Sequence, residues 1–136
     1  MDTTIERIDD GSTALVSVSG ELDASNFQSL IDVGRELQAT GTDRLVVDLG
    51  GLSYMASSGL VALYSLAVIM RGGEPPDPEE GWSAFHAIGT DDDAATEKHV
   101  KLLRPQPQVS RVLERTGLTR YFDVYTDRDT ALASFG

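Results

Sequence analysis

The chain has 136 residues, 40% of them hydrophobic, and it contains no cysteine, which excludes disulfide bonds and thiol catalysis. Its formal net charge is −11. The length and composition predict one globular domain over residues 1–136. No apolar run approaches the ~20 residues that a membrane span needs, so no membrane insertion is expected. The lack of cysteine favours a cytoplasmic location. We expect a monomer or a weak dimer.

The negative charge is concentrated in residues 72–97. This segment holds eight of the 22 acidic residues and no lysine or arginine, so the rest of the chain is nearly balanced. Nucleic-acid binding is not expected, because it needs a basic surface that replaces phosphate counterions. Three prolines interrupt any regular element in the segment. It is therefore predicted to be a surface insertion in the domain, mobile at least in part.

The first third of the chain predicts a hairpin followed by a helix. Residues 3–8 and 13–19 have the character of two short strands, and the turn residues at 9–11 join them. Asp23 is predicted to be the N-cap of the helix, because its carboxylate can accept from the free amides of a first turn. Gly41 ends the helical spacing of apolar residues.

The middle of the chain predicts a buried strand and a buried helix. Residues 44–49 are apolar on both faces, as is typical of a central strand. A helix from Ser57 to Arg71 is apolar nearly all round, stops at Gly72-Gly73, and is expected to be the most buried helix of the protein.

The last third predicts two strands and two helices. Residues 100–103 form a strand, and a helix begins near Pro107 and ends at Gly117. Residues 122–125 form the last strand, and residues 126–129 cap a short final helix. Because strands and helices alternate after the hairpin, the sequence predicts an α/β fold with one mixed sheet packed against about four helices.

Two hydroxyls, those of Ser57 and Ser58, lie where the buried helix begins. Backbone amides are unpaired at such a position and the helix dipole favours negative charge, which suits a phosphoserine. A serine nucleophile would need flanking glycines and a histidine partner, and neither is evident. His86 and His99 lack the spacing of a metal site. We therefore expect no catalytic residue, no metal and no cofactor.

Three stretches together resemble the STAS domain of bacterial anti-sigma factor antagonists. The first is the entry to the first helix, and the second runs from the central strand through the serine pair. The third is the helix that begins at Pro107. The stretches are Gly20-Glu21-Leu22-Asp23, residues 45–60, and residues 107–118. The resemblance covers nearly everything outside residues 72–97 and implies a STAS-like mixed sheet.

The resemblance also implies a function. Family members are binding modules that bind an anti-sigma factor, which is an ATP-using serine kinase, and so release a sigma factor. The kinase phosphorylates the first serine of the loop, and a PP2C-type phosphatase reverses this modification. The matching position here is Ser57. The implied partner-binding residues are Asp23, Ala56, Ser57, Ser58 and Gly59.

Ala56 departs from the family pattern, which commonly has an acidic residue before the phosphorylated serine. Alanine is a poor N-cap, so the hydroxyl of Ser57 or Ser58 is expected to cap the helix. A carboxylate that the kinase recognises on the antagonist would then be missing. Two alternatives therefore stay open: a non-phosphorylated STAS scaffold in a signalling or lipid-transport assembly, and a sensor of a nucleotide or another small ligand. We expect the Asp48 side chain to support the loop by forming hydrogen bonds with the backbone of the loop.

Overall fold

A computed structural model describes residues 1–8, 11–73 and 98–135. Its elements are β1 (Asp2–Ile8), β2 (Thr13–Leu22), α1 (Phe27–Ala39), β3 (Arg44–Met55), α2 (Ser57–Met70), β4 (Val100–Leu103), α3 (Pro107–Arg115), α4 (Leu118–Tyr121), β5 (Val124–Tyr125) and α5 (Arg128–Ala133). The described strands form one sheet in the order β1-β2-β3-β4-β5. The β1–β2 pair is antiparallel and the other pairs are parallel. The predicted α/β fold with a mixed sheet is confirmed.

The main core lies between one face of the sheet and helices α1 to α4. Alternate residues of β2 and β3 point into it, among them Val16 and Val47. A smaller cluster covers the opposite face, where Leu15 and Val46 pack with Ala131 of α5. The expectation that the central strand is apolar on both faces is confirmed, because α5 covers the second face.

Helix α2 is apolar nearly all round, and most of its residues are buried against the sheet and α1. It crosses α1 closely at Gly34, where an added Cβ would collide with Leu66 Cδ2. The helix ends at Met70 and the chain turns at Gly72, whose φ of 85° lies in the left-handed region. The predicted burial and termination of this helix are confirmed.

Ser65 lies within this apolar helix and is fully buried. Within the described residues, its hydroxyl is the buried side-chain polar atom without a hydrogen-bond partner. Ser65→Ala is expected to raise the free energy of unfolding by about 1 kcal/mol, because burial of an unpaired hydroxyl costs roughly 1–3 kcal/mol. Urea unfolding would measure the change. Ser29→Ala, at an exposed position of α1, corrects for the higher helix propensity of alanine. An equal effect of both substitutions would contradict the prediction.

Two local predictions were wrong or incomplete. The N-cap of α1 is Asn26, three residues after the predicted Asp23. The short helix α4 was not predicted; it follows Gly117, whose φ of 79° ends α3 as expected. Within the described residues, none of the helices is long and apolar enough to cross a membrane. Residues 74–97, with His86, lie outside the described residues, so the predicted surface insertion at 72–97 stays a prediction.

Candidate functional site

The carboxyl ends of β2 and β3 bring the predicted site residues to one edge of the sheet. Leu22 and Met55 are paired across the two strands. The Ala56 amide donates to the Leu22 carbonyl oxygen at 2.8 Å. Asp23 follows Leu22 directly, and Ser57 follows Ala56, so the two predicted site residues lie on neighbouring segments of the same edge.

Strand β3 continues beyond the predicted end at Leu49 because it contains two bulges. The pairing register with β2 shifts by one residue between Asp48 and Gly51 and again between Leu52 and Tyr54. Polar side chains satisfy the backbone there. The Gly50 amide donates to Asp48 Oδ1 at 2.9 Å, and Ser53 Oγ donates to the Gly20 carbonyl oxygen at 3.0 Å. The predicted support of this segment by Asp48 is confirmed.

The chain that enters α3 borders the other side of this strand extension. Arg104 has a φ of 50° and forms an ion pair with the Asp48 carboxylate, whose hydrogen bond and charge raise the pKa of the guanidinium above its usual value. Gln106 Nε2 donates to the Gly50 carbonyl oxygen at 2.8 Å. The Met55 amide donates to Gln108 Oε1 at 3.2 Å. Sequence reasoning missed these three side chains, because isolated polar residues around the start of a helix form no recognisable pattern.

The start of α2 corrects the predicted role of the serine hydroxyls. Ala56 is the N-cap, with an extended backbone, and no side chain caps the helix. Ser57 and Ser58 already have helical backbone conformations, whereas a capping side chain belongs to the extended residue before them. Ser57 is exposed and Ser58 is half-buried. Within the described residues neither hydroxyl has a hydrogen-bond partner. The Ser57 hydroxyl is therefore accessible to another protein.

Gly59 lets α2 pack closely on the ends of β2 and β3. A Cβ added at Gly59 would lie 2.5 Å from Met55 Cγ and 3.0 Å from Leu22 Cδ2, and both neighbours are buried. Gly59 itself is buried, so its role here is packing beneath the serines. A larger residue at this position would force these two buried side chains or the first turn of the helix to shift.

Asp23 shapes the turn before α1 instead of capping the helix. Its Oδ1 accepts from the Ser25 amide at 2.9 Å and also from the Ser25 hydroxyl. These two hydrogen bonds lower the pKa of the Asp23 carboxyl below its ordinary value, because they favour the ionised form. Asn26 Oδ1 in turn accepts from the Asp23 amide at 2.9 Å. Asp23 therefore presents a fixed negative charge at the edge where Ser57 lies.

An open groove of about 300 Å³ runs from the Ser57 hydroxyl to α3. Its residues are Tyr54, Met55, Ala56, Ser57, Leu60, Gln108, Val112, Arg115 and Thr116. Leu60 is buried, whereas Tyr54 is 43% exposed. No carboxylate or imidazole from the described part of the chain lines the groove. The arrangement suits binding and modification by a partner.

Comparisons with known proteins define the family. The family model described as "Mlab, STAS domain" matches residues 7–74, which is half of the chain. The chain belongs to the STAS domain family. The matched region of this STAS domain contains Asp23 and the whole segment from β3 through α2. No curated protein matches the sequence.

Solved structures share the fold of this STAS domain. An anti-sigma factor antagonist from Mycobacterium paratuberculosis has 23% identity and a TM-score of 0.66, over 98% of this chain and 92% of that one. The Bacillus protein SpoIIAA in its unphosphorylated form has 18% identity and a TM-score of 0.63, over 96% and 93%. An anti-sigma factor antagonist domain protein from Planctomyces limnophilus has 15% identity and a TM-score of 0.60, over both full chains.

Among the described residues, no group of three histidine, aspartate or glutamate side chains could hold a metal ion. Nδ1 of His99 lies 3.2 Å from the Asp43 carbonyl oxygen.

The residues that the structure brings together are Asp23, Ala56, Ser57, Ser58 and Gly59, with Gln108 and Arg115 from α3 beside them.

Proposed function

We propose that this STAS domain is an anti-sigma factor antagonist that is switched off by phosphorylation at Ser57. Its partner is an anti-sigma factor with serine kinase activity, and a PP2C-type phosphatase restores the unmodified form. The chain itself is not an enzyme and acts in the cytoplasm. The observation that carries the proposal is the exposed Ser57 hydroxyl at the first position of α2, at the edge that also holds Asp23.

The solved structures support this proposal. Proteins with this fold are named as anti-sigma factor antagonists, and SpoIIAA has been solved in both an unphosphorylated and a phosphorylated form. A phosphate on Ser57 would add about −1.5 to −2 charges at the amino-terminal end of α2, where backbone amides and the helix dipole favour an anion without unfolding the helix. The same dianion would have to be desolvated at an interface. We therefore propose Asp23, Ala56, Ser57, Ser58 and Gly59 as the partner-binding surface.

Intact-protein mass spectrometry tests the modification. The chain, incubated with ATP and the serine kinase encoded beside its gene, is expected to gain one phosphate. Ser57→Ala is expected to abolish the gain, because it removes the exposed acceptor, and Ser58→Ala serves as the matched control that keeps it. A stable complex without any phosphate would contradict the switch.

A second candidate is a STAS adaptor that binds its partner without phosphorylation, in a signalling or lipid-transport assembly. Two observations favour it. The matching family model carries the description "Mlab, STAS domain". Ala56 also places a methyl group where antagonists commonly offer a carboxylate before the serine. Two observations would distinguish the adaptor from the antagonist. The adaptor predicts transporter genes beside this gene, and it predicts that Ser57→Asp binds the partner as tightly as the unmodified chain.

A further inference from the structure

Strand β3 extends well past the end of its neighbour β4. Its pairing with β4 covers only Leu45–Asp48 against Val100–Leu103. Residues 49–55 continue toward Ser57, and within the described residues no strand pairs with them on that side. Their backbone groups on this edge need other partners, since unpaired polar groups are costly once they are partly buried.

Two glutamine side chains supply such partners at the two ends of the extension. Gln106 Nε2 donates to the Gly50 carbonyl oxygen at 2.8 Å, and Gln108 Oε1 accepts from the Met55 amide at 3.2 Å. A side-chain amide carries the same donor and acceptor as a peptide group, so it can take the place of a missing strand. Gln106 is the N-cap of α3 and Gln108 lies in its first turn.

We propose that Gln108 is a positioning residue for Ser57. Its carbonyl oxygen holds the Met55 amide, and the Leu22 carbonyl oxygen holds the next amide, that of Ala56. These two hydrogen bonds come from opposite sides of β3. They fix the backbone directly before Ser57, which begins the helix. This role rests on the proposed function, because it concerns how Ser57 is presented to a kinase.

Loss of the Gln108 acceptor would leave the Met55 amide without its partner. Pairing with β2 would then be the remaining backbone support of this segment. That pairing is irregular, because its register shifts directly before the pair Glu21–Tyr54, which precedes the pair Leu22–Met55. A misplacement of about 1 Å in a reacting group can reduce a rate by about a hundredfold. Gln108 is therefore the side chain through which α3 acts on the backbone directly before Ser57.

The test compares Gln108→Met, which keeps the length of the side chain but removes the acceptor, with Gln108→Glu, which retains an acceptor oxygen. Gln38→Met, at an exposed position of α1, is the matched control. Amide hydrogen exchange at Met55 and the rate of Ser57 phosphorylation are measured together with the thermal midpoint. In Gln108→Met we expect exchange to be about tenfold faster and phosphorylation about tenfold slower, as the loss of one hydrogen bond implies.

Gln108→Glu is expected to restore the protection of the Met55 amide, and Gln38→Met is expected to change neither rate. Unchanged Met55 exchange in Gln108→Met would overturn the positioning role. So would faster exchange with phosphorylation at the wild-type rate. If the wild-type chain is not phosphorylated at Ser57, the proposed function fails, while the exchange measurement still decides the role of Gln108.

Discussion

Phosphorylation of Ser57 is expected to weaken binding to the anti-sigma factor several hundredfold. The hydroxyl is exposed at the first position of α2, at the edge of the sheet that also holds the Asp23 carboxylate. A phosphate there adds a dianion that must lose water or meet like charge when the edge of the sheet is covered. A penalty of ~3–4 kcal/mol corresponds to this loss of affinity, since every 1.4 kcal/mol is tenfold.

Isothermal titration of the kinase with the unmodified and phosphorylated chains would measure this change. Ser57→Asp carries a single charge and should lose at least about tenfold in affinity. Gln38→Glu adds the same charge at the exposed carboxyl-terminal end of α1, so it controls for net charge. Equal affinities of Ser57→Asp, Gln38→Glu and the unmodified chain would contradict a charge switch and favour the adaptor.

Leu66→Ala is expected to lower the free energy of unfolding by about 3 kcal/mol, because it opens a cavity between α1 and α2. Leu66 is almost fully buried and lies against Gly34 of α1. Gly34→Ala alone gains helix propensity of about 1 kcal/mol but drives its methyl group into Leu66, so it should bring no net gain. Urea unfolding measures each change.

The two substitutions together give a sharper result than either one alone. In the Leu66→Ala background the methyl group of Gly34→Ala has room, and the double variant should recover about 1 kcal/mol of the loss. Leu63→Ala is the matched control, since Leu63 is equally buried in α2 but is not among the atoms nearest to Gly34. Additive effects in the Gly34–Leu66 pair would show that the helices do not cross as described.

The end of β3 shows why the fold could be predicted more fully than the site. A regular strand with one buried face shows alternating buried residues. Residues 45–49 are instead buried on both faces of the sheet, and this apolar run predicts the strand as far as Leu49. Beyond it the buried residues are Leu52 and Met55, at a spacing of three. Each bulge inserts one extra residue, which destroys the alternation. From its sequence alone the segment therefore resembles a loop, although it pairs with β2 as far as Met55.

The helix starts show a second limit of the sequence. Asp23 is a good capping residue by type, and Ala56 is a poor one. In the structure Ala56 is the N-cap of α2, while Asp23 binds Ser25 in a turn before α1. Pairing of Leu22 with Met55 fixes where both strands end, so the sheet places Ala56 directly before α2. Before α1, the hydrogen bonds that join Asp23 to Ser25 and Asn26 form a turn, and the helix begins after it. Local propensity of about 1 kcal/mol cannot override a strand register that buries several large side chains.

The sequence by itself determined the order of the strands and of the helices other than α4, the burial of α2 and the position of the Ser57–Ser58 pair at its start. These features depend on local periodicity and on residue type, which are visible along the chain. Tertiary structure alone decided that Asp23 and Ser57 share one edge, that Ser57 is free of a capping role, and that Gln108 holds the Met55 amide. Such contacts join residues far apart in the chain, and only the packing of β2, β3 and α3 brings them together.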